Sequence, residues 1–257
     1  MVDERDWQAI FDRAFGDVEE TVSRRIWRSV YGEEYPEEVD PYSYVSRTEL
    51  ALLRDELRIG AGDTLGDLGC GRGGPGLWLA AHTGANLVGV DISTVALAEA
   101  TARAEALGLA DRATYQHGSF AETGLADAAL DAIVSVDALL FAPDKRAAVA
   151  EFARILRPGG RLAMTTWDYH RQPAGRPPQV DDHRPLLADH GFVVHTYAET
   201  VDWRHRLTAI SDALVECAAE LAAQTGADAA VVRAGTEEMR RTIDDMIRRV
   251  FIVAERL

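Results

Sequence analysis

Leu65–Trp78, reading LGDLGCGRGGPGLW, decides the fold of this 257-residue chain. A short apolar run ends at Asp67 and Leu68, which predicts the end of a buried parallel strand. Gly69, Gly71, Gly73 and Gly74 follow, and Leu77, Trp78, Leu79 and Ala80 begin a helical run. Strand, glycine turn and helix is the arrangement that brings a nucleotide-like cofactor against bare backbone. Gly69, Gly71 and Gly74 satisfy G-x-G-x-x-G, a weak signal by itself. Two acids sharpen it: Asp67, two residues before the first glycine, and Asp91, which ends the next apolar run, Asn86–Asp91.

Outward from this stretch, strand and helix alternate. Strands are predicted near 64–68, 86–91, 113–118, 131–136 and 161–167, with helices near 75–82, 94–107, 121–126 and 144–156. A further helix is expected over 182–190 and a strand over Phe192–Trp203. Such alternation implies right-handed crossovers and a parallel sheet covered on both faces, with ligands beyond the carboxyl ends of the strands. Those ends carry Asp67, Asp91, Gly118-Ser119-Phe120, Asp137, and Asp168-Tyr169-His170. Upstream, Trp7, Phe11 and Phe15, then Val22, Ile26 and Val30, mark helical faces over 5–30. A proline-broken, tyrosine-rich segment, Tyr31–Tyr44, has the length of a lid or binding loop. Ser46 with Glu49 forms a capping box for a helix bearing Leu50, Leu53 and Leu57. Beyond Trp203 the alternation stops: Leu207, Ile210, Leu214 and Leu221 give one amphipathic helix, Met239, Ile243 and Ile247 another, and Arg248 onward reads as a last strand.

At Asp67–Gly74 and Asp91 the sequence resembles the class I S-adenosylmethionine (SAM) dependent methyltransferases. A carboxylate before the glycines answers a cationic ammonium and sulfonium, whereas a pyrophosphate would be repelled by it. The resemblance implies an α/β fold: a doubly wound, mostly parallel, Rossmann-like seven-stranded sheet, with N-terminal helices and a helical insertion at 204–247 before an antiparallel last strand. It implies a single domain over 1–257, with a cap or lid at 1–58, a cofactor-binding core at 59–203 and the last strand at 248–257. It also implies SAM as cofactor and S-adenosylhomocysteine as product. Asp67, Gly69, Cys70, Gly71 and Gly73 would then cradle the ligand, Asp91 would hold the ribose hydroxyls, and Ile92 would wall the adenine. Ser119 stands where the family often has an acid reaching the adenine, Phe120 packs on that ring, and Asp137 lines the methionyl end. Leu156-Arg-Pro-Gly-Gly resembles the family's turn into the fifth strand, where proline stops the helix.

Methyl transfer from a sulfonium depends chiefly on placing the acceptor in line with the bond that breaks. A base is needed only where the acceptor must lose a proton. His170, after the fifth strand, is the candidate base, against the plain reading of a solvated loop histidine. Tyr31, Tyr35, Tyr42 and Tyr44, with Tyr169, are candidates for an aromatic cap over cofactor or acceptor, or for simple packing. Arg171 and Arg176, in a proline-rich loop expected to be mobile, could grip an anion or stay solvated.

A formal charge of -15 with 47% apolar residues describes an acidic globule that repels nucleic acid and anionic membranes. Cys70 and Cys217 fit no metal spacing, and no metal is expected. The charged N-terminus and the want of a run near ~20 apolar residues point to a cytoplasmic protein. The reading is therefore a methyltransferase for a small, partly apolar metabolite or natural product of secondary metabolism, with a homodimer possible. Its rivals are a SAM-binding protein that transfers no methyl group and a nicotinamide dinucleotide oxidoreductase.

Overall fold

The computed structural model describes residues 8, 21–40 and 43–257. Trp7, Phe11, Phe15 and Tyr42 lie outside the described residues. The glycine turn begins where expected: β1, Thr64–Leu68, leads through it into α3, Gly74–Thr83. Among the described residues, α1 at Val22–Tyr31 and α2 at Arg47–Leu57 precede β1. In α2 the predicted capping box is complete: Ser46 Oγ accepts from the Glu49 amide at 3.2 Å, and Glu49 Oε2 from the Ser46 amide at 2.9 Å.

The remaining core elements are β2 (Asn86–Asp91), α4 (Thr94–Ala106), β3 (Ala113–His117), β4 (Leu130–Val136), α5 (Lys145–Ile155), β5 (Leu156–Tyr169), α6 (His183–Asp189) and β6 (Phe192–Glu199). Then come α7 (Trp203–Glu216), α8 (Ala218–Thr225), α9 (Ala229–Thr242) and β7 (Met246–Arg256). The sheet runs β3-β2-β1-β4-β5-β7-β6, parallel from β3 to β5. β7 lies antiparallel between β5 and β6, so α7–α9 are inserted within the β6–β7 hairpin as expected. Strand order reverses between β1 and β4, and their carboxyl ends diverge there into the crevice where such sheets bind ligands.

Apolar side chains bury both faces. Leu50, Leu53 and Leu57 of α2 and Leu77 and Leu79 of α3 pack with Leu65 and Val134 on one side. Val149, Phe152 and Ile155 of α5 pack with Ile133, Met164 and Ile252 on the other. Each such burial contributes about 1.5–3 kcal/mol, and this packing fixes the strand ends that carry the site. A third cluster joins Val22, Ile26 and Tyr31 to Ile210, Leu214 and Leu221, so the N-terminal helix and the inserted helices pack on one another.

Three local expectations are corrected. Residues 121–126 form no helix: Glu151 takes the Thr123 amide at 3.0 Å and Arg154 grips the Leu125 carbonyl at 2.7 Å, holding the segment open against α5. β6 stops at Glu199, and Trp203 begins α7 instead of ending a strand. β5 is longer than predicted, because Leu156 already pairs with Leu130 before Arg157–Gly160 bulge out and pairing resumes at Arg161. No helix among the described residues is long and apolar enough to cross a membrane.

Candidate cofactor and acceptor site

Gly69, Gly71 and Gly73 hold φ of +74°, +51° and +76°, a backbone region that side chains disfavour. A Cβ on Gly69 would stand 2.6 Å from the Ala138 Cβ and 2.9 Å from the Phe120 ring, so only a bare backbone passes between β1 and β4 there. The Gly69 and Cys70 amides both donate to the Val90 carbonyl, at 2.9 and 3.2 Å, which ties the turn to β2.

Asp67 is 2% exposed and accepts one hydrogen bond, from the Gly76 amide in the first turn of α3, at 3.1 Å. Burial pushes its pKa up to about 7; the Gly76 amide opposes the rise and the nearby Asp91 charge adds to it. A buried carboxylate with this raised pKa gains from a positive charge placed near it. Burial likewise raises the Cys70 thiol, reinforced by Asp67 and Asp91, which leaves it a packing group rather than a nucleophile at neutral pH.

Asp91 accepts from the Gly71 amide at 2.8 Å and the Ser93 amide at 2.9 Å. These two amides orient the carboxylate. Ile92, Ser119 and Phe120 border the crevice beside it. Ser119 Oγ accepts from the Glu122 amide at 3.1 Å, capping its own turn.

Asp137 also borders the crevice, but its oxygens are bound to protein. They accept from the Thr165 hydroxyl at 2.8 Å, from Arg249 at 2.9 and 3.0 Å, and from the Tyr44 amide at 2.8 Å. Arg249 reaches on to Glu49 at 2.6 Å. Asp137 therefore knits β4, β5, β7 and the N-terminal segment together behind the wall, a role its sequence neighbours do not announce.

The crevice and the space beyond it form one cavity of about 480 Å³ with a largely aromatic and aliphatic far wall. Tyr44 stands 5.5 Å from Trp27 and 5.5 Å, edge-on at 87°, from Trp167. Tyr169, Leu207, Leu214 and Met239 extend this surface. Tyr169 is buried, and burial raises its phenol to about 12, with Arg176 pulling the other way. Tyr35 lines the cavity with its hydroxyl donating to Asp40 at 3.2 Å. Tyr31 does not face it: its hydroxyl donates to the Tyr44 carbonyl at 2.7 Å, supporting the wall from behind.

His170 is corrected as a candidate base. It is exposed, its Nε2 lies 2.7 Å from the Asp244 carbonyl and its amide donates to Asp245. None of the seven histidines is among the described residues lining the cavity. Asp168, two residues before His170, turns to the face of the sheet away from the cavity, where His183, Tyr197 and Arg248 hold it at 2.9, 2.7 and 2.7 Å. Arg171 also points away, pairing with Asp245 at 2.8 Å.

One feature was absent from the sequence reading. Asp40, at φ +44°, receives Arg24 Nε at 2.8 Å and Arg72 of the glycine turn at 3.1 Å. Arg103 completes the clasp by donating to the carbonyls of Arg72 and Val39, at 3.3 and 2.6 Å. This fastens the segment before α2 onto the cofactor turn; only the Arg72 position, inside the motif, could have signalled it.

A family described as "Methyltransferase domain" matches residues 66–164. The methyltransferase GfsG of Streptomyces halstedii is 35% identical over 129 residues, 50% of this chain and 46% of that protein. The 27-O-demethylrifamycin SV methyltransferase of Amycolatopsis mediterranei is 34% identical over 123 residues, 48% and 45% of the two chains. The chain spans less than half the length of either relative. Among solved structures, the [4+2]-cyclase SpnF superposes with a TM-score of 0.76 at 21% identity, covering 98% of this chain and 95% of the other. The geranyl diphosphate C-methyltransferase of Streptomyces coelicolor gives 0.68 at 18% identity, covering 98% of each. At these identities the likeness is one of fold, and it runs through the N-terminal and inserted helices as well as the sheet.

Proposed function

We propose that the chain transfers a methyl group from SAM to a small, partly apolar acceptor, a reading supported by the match of residues 66–164 to a family described as a methyltransferase domain. One observation carries the proposal. Two acids, Asp67 and Asp91, stand at the tips of neighbouring parallel strands on either side of a left-handed glycine turn, and this polar crevice opens directly into an aromatic-walled cavity.

The residues suit a sulfonium nucleoside. Gly69 and Gly71 present bare backbone to the crevice, and a buried carboxylate with a pKa near 7 gains a counter-charge. Asp91 would hold the ribose hydroxyls, Ile92 and Phe120 would flank the adenine, and Gly69, Cys70 and Gly71 would form the floor. When bound, SAM supplies an electrophilic methyl group on a cationic sulfur. The protein's share is to orient the acceptor and exclude water. Tyr44, Trp167 and Tyr169 form the acceptor surface, and the Tyr169 hydroxyl, protonated at neutral pH, can donate a hydrogen bond to the acceptor's oxygen. The aromatic and aliphatic lining supports an acceptor of natural-product character, the class named for the Amycolatopsis relative.

The test is incubation with methyl-labelled SAM and a panel of hydroxylated polyketides and terpenoids. Labelled product together with S-adenosylhomocysteine supports the proposal. A melting temperature raised by NAD or NADP and unmoved by SAM would overturn it in favour of an oxidoreductase. Products altered without gaining label would assign SAM a non-transfer role.

A further inference from the structure

The acceptor side of the cavity is bounded by a loop, residues 171–180, which follows β5 and has no helix or strand of its own. Its Arg176 lies over the Phe141 ring, 5.3 Å from the centroid, and both residues line the cavity. Three prolines deny this loop backbone donors, and side-chain amides replace them. Gln172 Nε2 donates to the carbonyls of Pro173, Arg176 and Pro177 at 3.1, 3.0 and 3.0 Å. Gln179 Nε2 donates to Pro177 and to Leu140, each at 2.8 Å.

One more tie crosses from the protein body. Lys145, the only lysine in the chain and 6% exposed, begins α5. Its ammonium donates to the Pro178 carbonyl at 2.6 Å and to Leu140 and Ala142 at 3.3 and 3.5 Å. It has no carboxylate partner among the described residues. A buried ammonium without a counter-ion is costly, and three carbonyls are what remain to satisfy its three N–H donors.

We propose that Lys145 is a positioning residue for the acceptor: its ammonium fastens the 171–180 loop to the Leu139–Phe141 turn and so sets the acceptor-side wall, while touching neither acceptor nor cofactor. The assignment rests on reading this cavity as the methyl-transfer site, but its structural part stands independently. Only the charged form supplies three donors; a neutral amine supplies two. Burial lowers the lysine to about 8, and neither Asp144 beside it nor Arg176 on the loop contributes to that shift. Raising the pH through 8 therefore slackens the tie.

The experiment is hydrogen–deuterium exchange on the full chain, wild type and Lys145→Met, with S-adenosylhomocysteine affinity measured in parallel. Exchange across residues 170–182 should rise at least tenfold in the variant, while amides of β1 and β2 and the affinity change less than twofold. In wild type, loop exchange corrected for its intrinsic pH dependence should climb between pH 7 and 9, following the single lysine 13Cε resonance; in Lys145→Met it should not. With any acceptor found by the labelling panel, KM for acceptor should rise at least fivefold at nearly constant kcat. Loop exchange unchanged by Lys145→Met, or raised equally throughout the protein, would overturn the proposal. So would a wild-type loop insensitive to the lysine titration, a result that needs no variant. Failure of every acceptor in the panel would count against the methyl-transfer reading and leave the loop measurement standing.

Discussion

Replacing Asp67 by Asn should make the ligand-free protein more stable and the cofactor complex weaker. The charged form of Asp67 is disfavoured from an ordinary 3.8 to about 7. At about 1.36 kcal/mol per unit, the ligand-free protein carries roughly 4 kcal/mol of strain at this carboxylate above pH 7. The sign follows from proton binding: between pH 4 and 7 the folded protein holds a proton that the unfolded chain has lost. Stability from this group is therefore full below about pH 4 and falls as pH rises through 7. A cation in the crevice reverses the balance by returning the carboxyl to its ordinary range. Binding at pH 7 should then release about half a proton, and apparent affinity should rise about thirtyfold from pH 5.5 to 8 before levelling. Isothermal titration calorimetry with SAM in buffers of different ionisation enthalpy reads the released proton. For Asp67→Asn the release and the pH slope should vanish, affinity at pH 8 should fall at least thirtyfold, and the ligand-free Tm at pH 8 should rise by about 8–16 °C, given about 2–4 °C per kcal/mol at this size. An Asn variant with wild-type affinity and the same proton release would refute the assignment of Asp67 as the counter-charge.

Gly69→Ala should abolish SAM binding in thermal-shift titrations and lower the Tm, because its methyl group meets Ala138 and Phe120 at a φ of +74°; a bound, unperturbed variant would contradict the cradle. Arg249→Met leaves Asp137 and Glu49 buried without their cation and should cost about 3–5 kcal/mol in urea unfolding; a loss under 1 kcal/mol would mean the network is slack. His170→Gln should keep kcat and KM within twofold of wild type across pH 6–8, since the ring binds the Asp244 carbonyl outside the cavity; a tenfold fall in kcat would restore it as a base.

The layered sheet was legible because its signals are local. A glycine turn between an apolar run and a helix, repeated strand–helix alternation and the Ser46–Glu49 box each lie within a few residues, and all appear where the spacing puts them. Asp67, Asp91, Ile92 and Phe120 share the crevice for the same reason: topology sends consecutive strand ends to one edge. What escaped was long-range. Nothing near Asp137 announces Arg249, 112 positions away, or the network the two residues form. Asp40 with Arg24 and Arg72, and Lys145 with Pro178, are ties of the same kind. His170 failed for a different reason: neighbouring strand residues face opposite ways, and beyond the last paired residue, Tyr169, the chain turns outward. The 121–126 helix failed because tertiary hydrogen bonds from α5 outweighed a weak local preference.

Asp91 offers the most direct measurement of the central claim, that this crevice binds an adenosyl sulfonium by the acids at its strand tips. Calorimetric titration of SAM into wild type and Asp91→Ala, at pH 7.5 and constant salt, should show one saturable site that weakens roughly 30- to 150-fold in the variant, the equivalent of 2–3 kcal/mol for a charge-assisted pair of hydroxyl contacts. Absence of binding by wild type at millimolar SAM, or equal affinity in the two proteins, would contradict it.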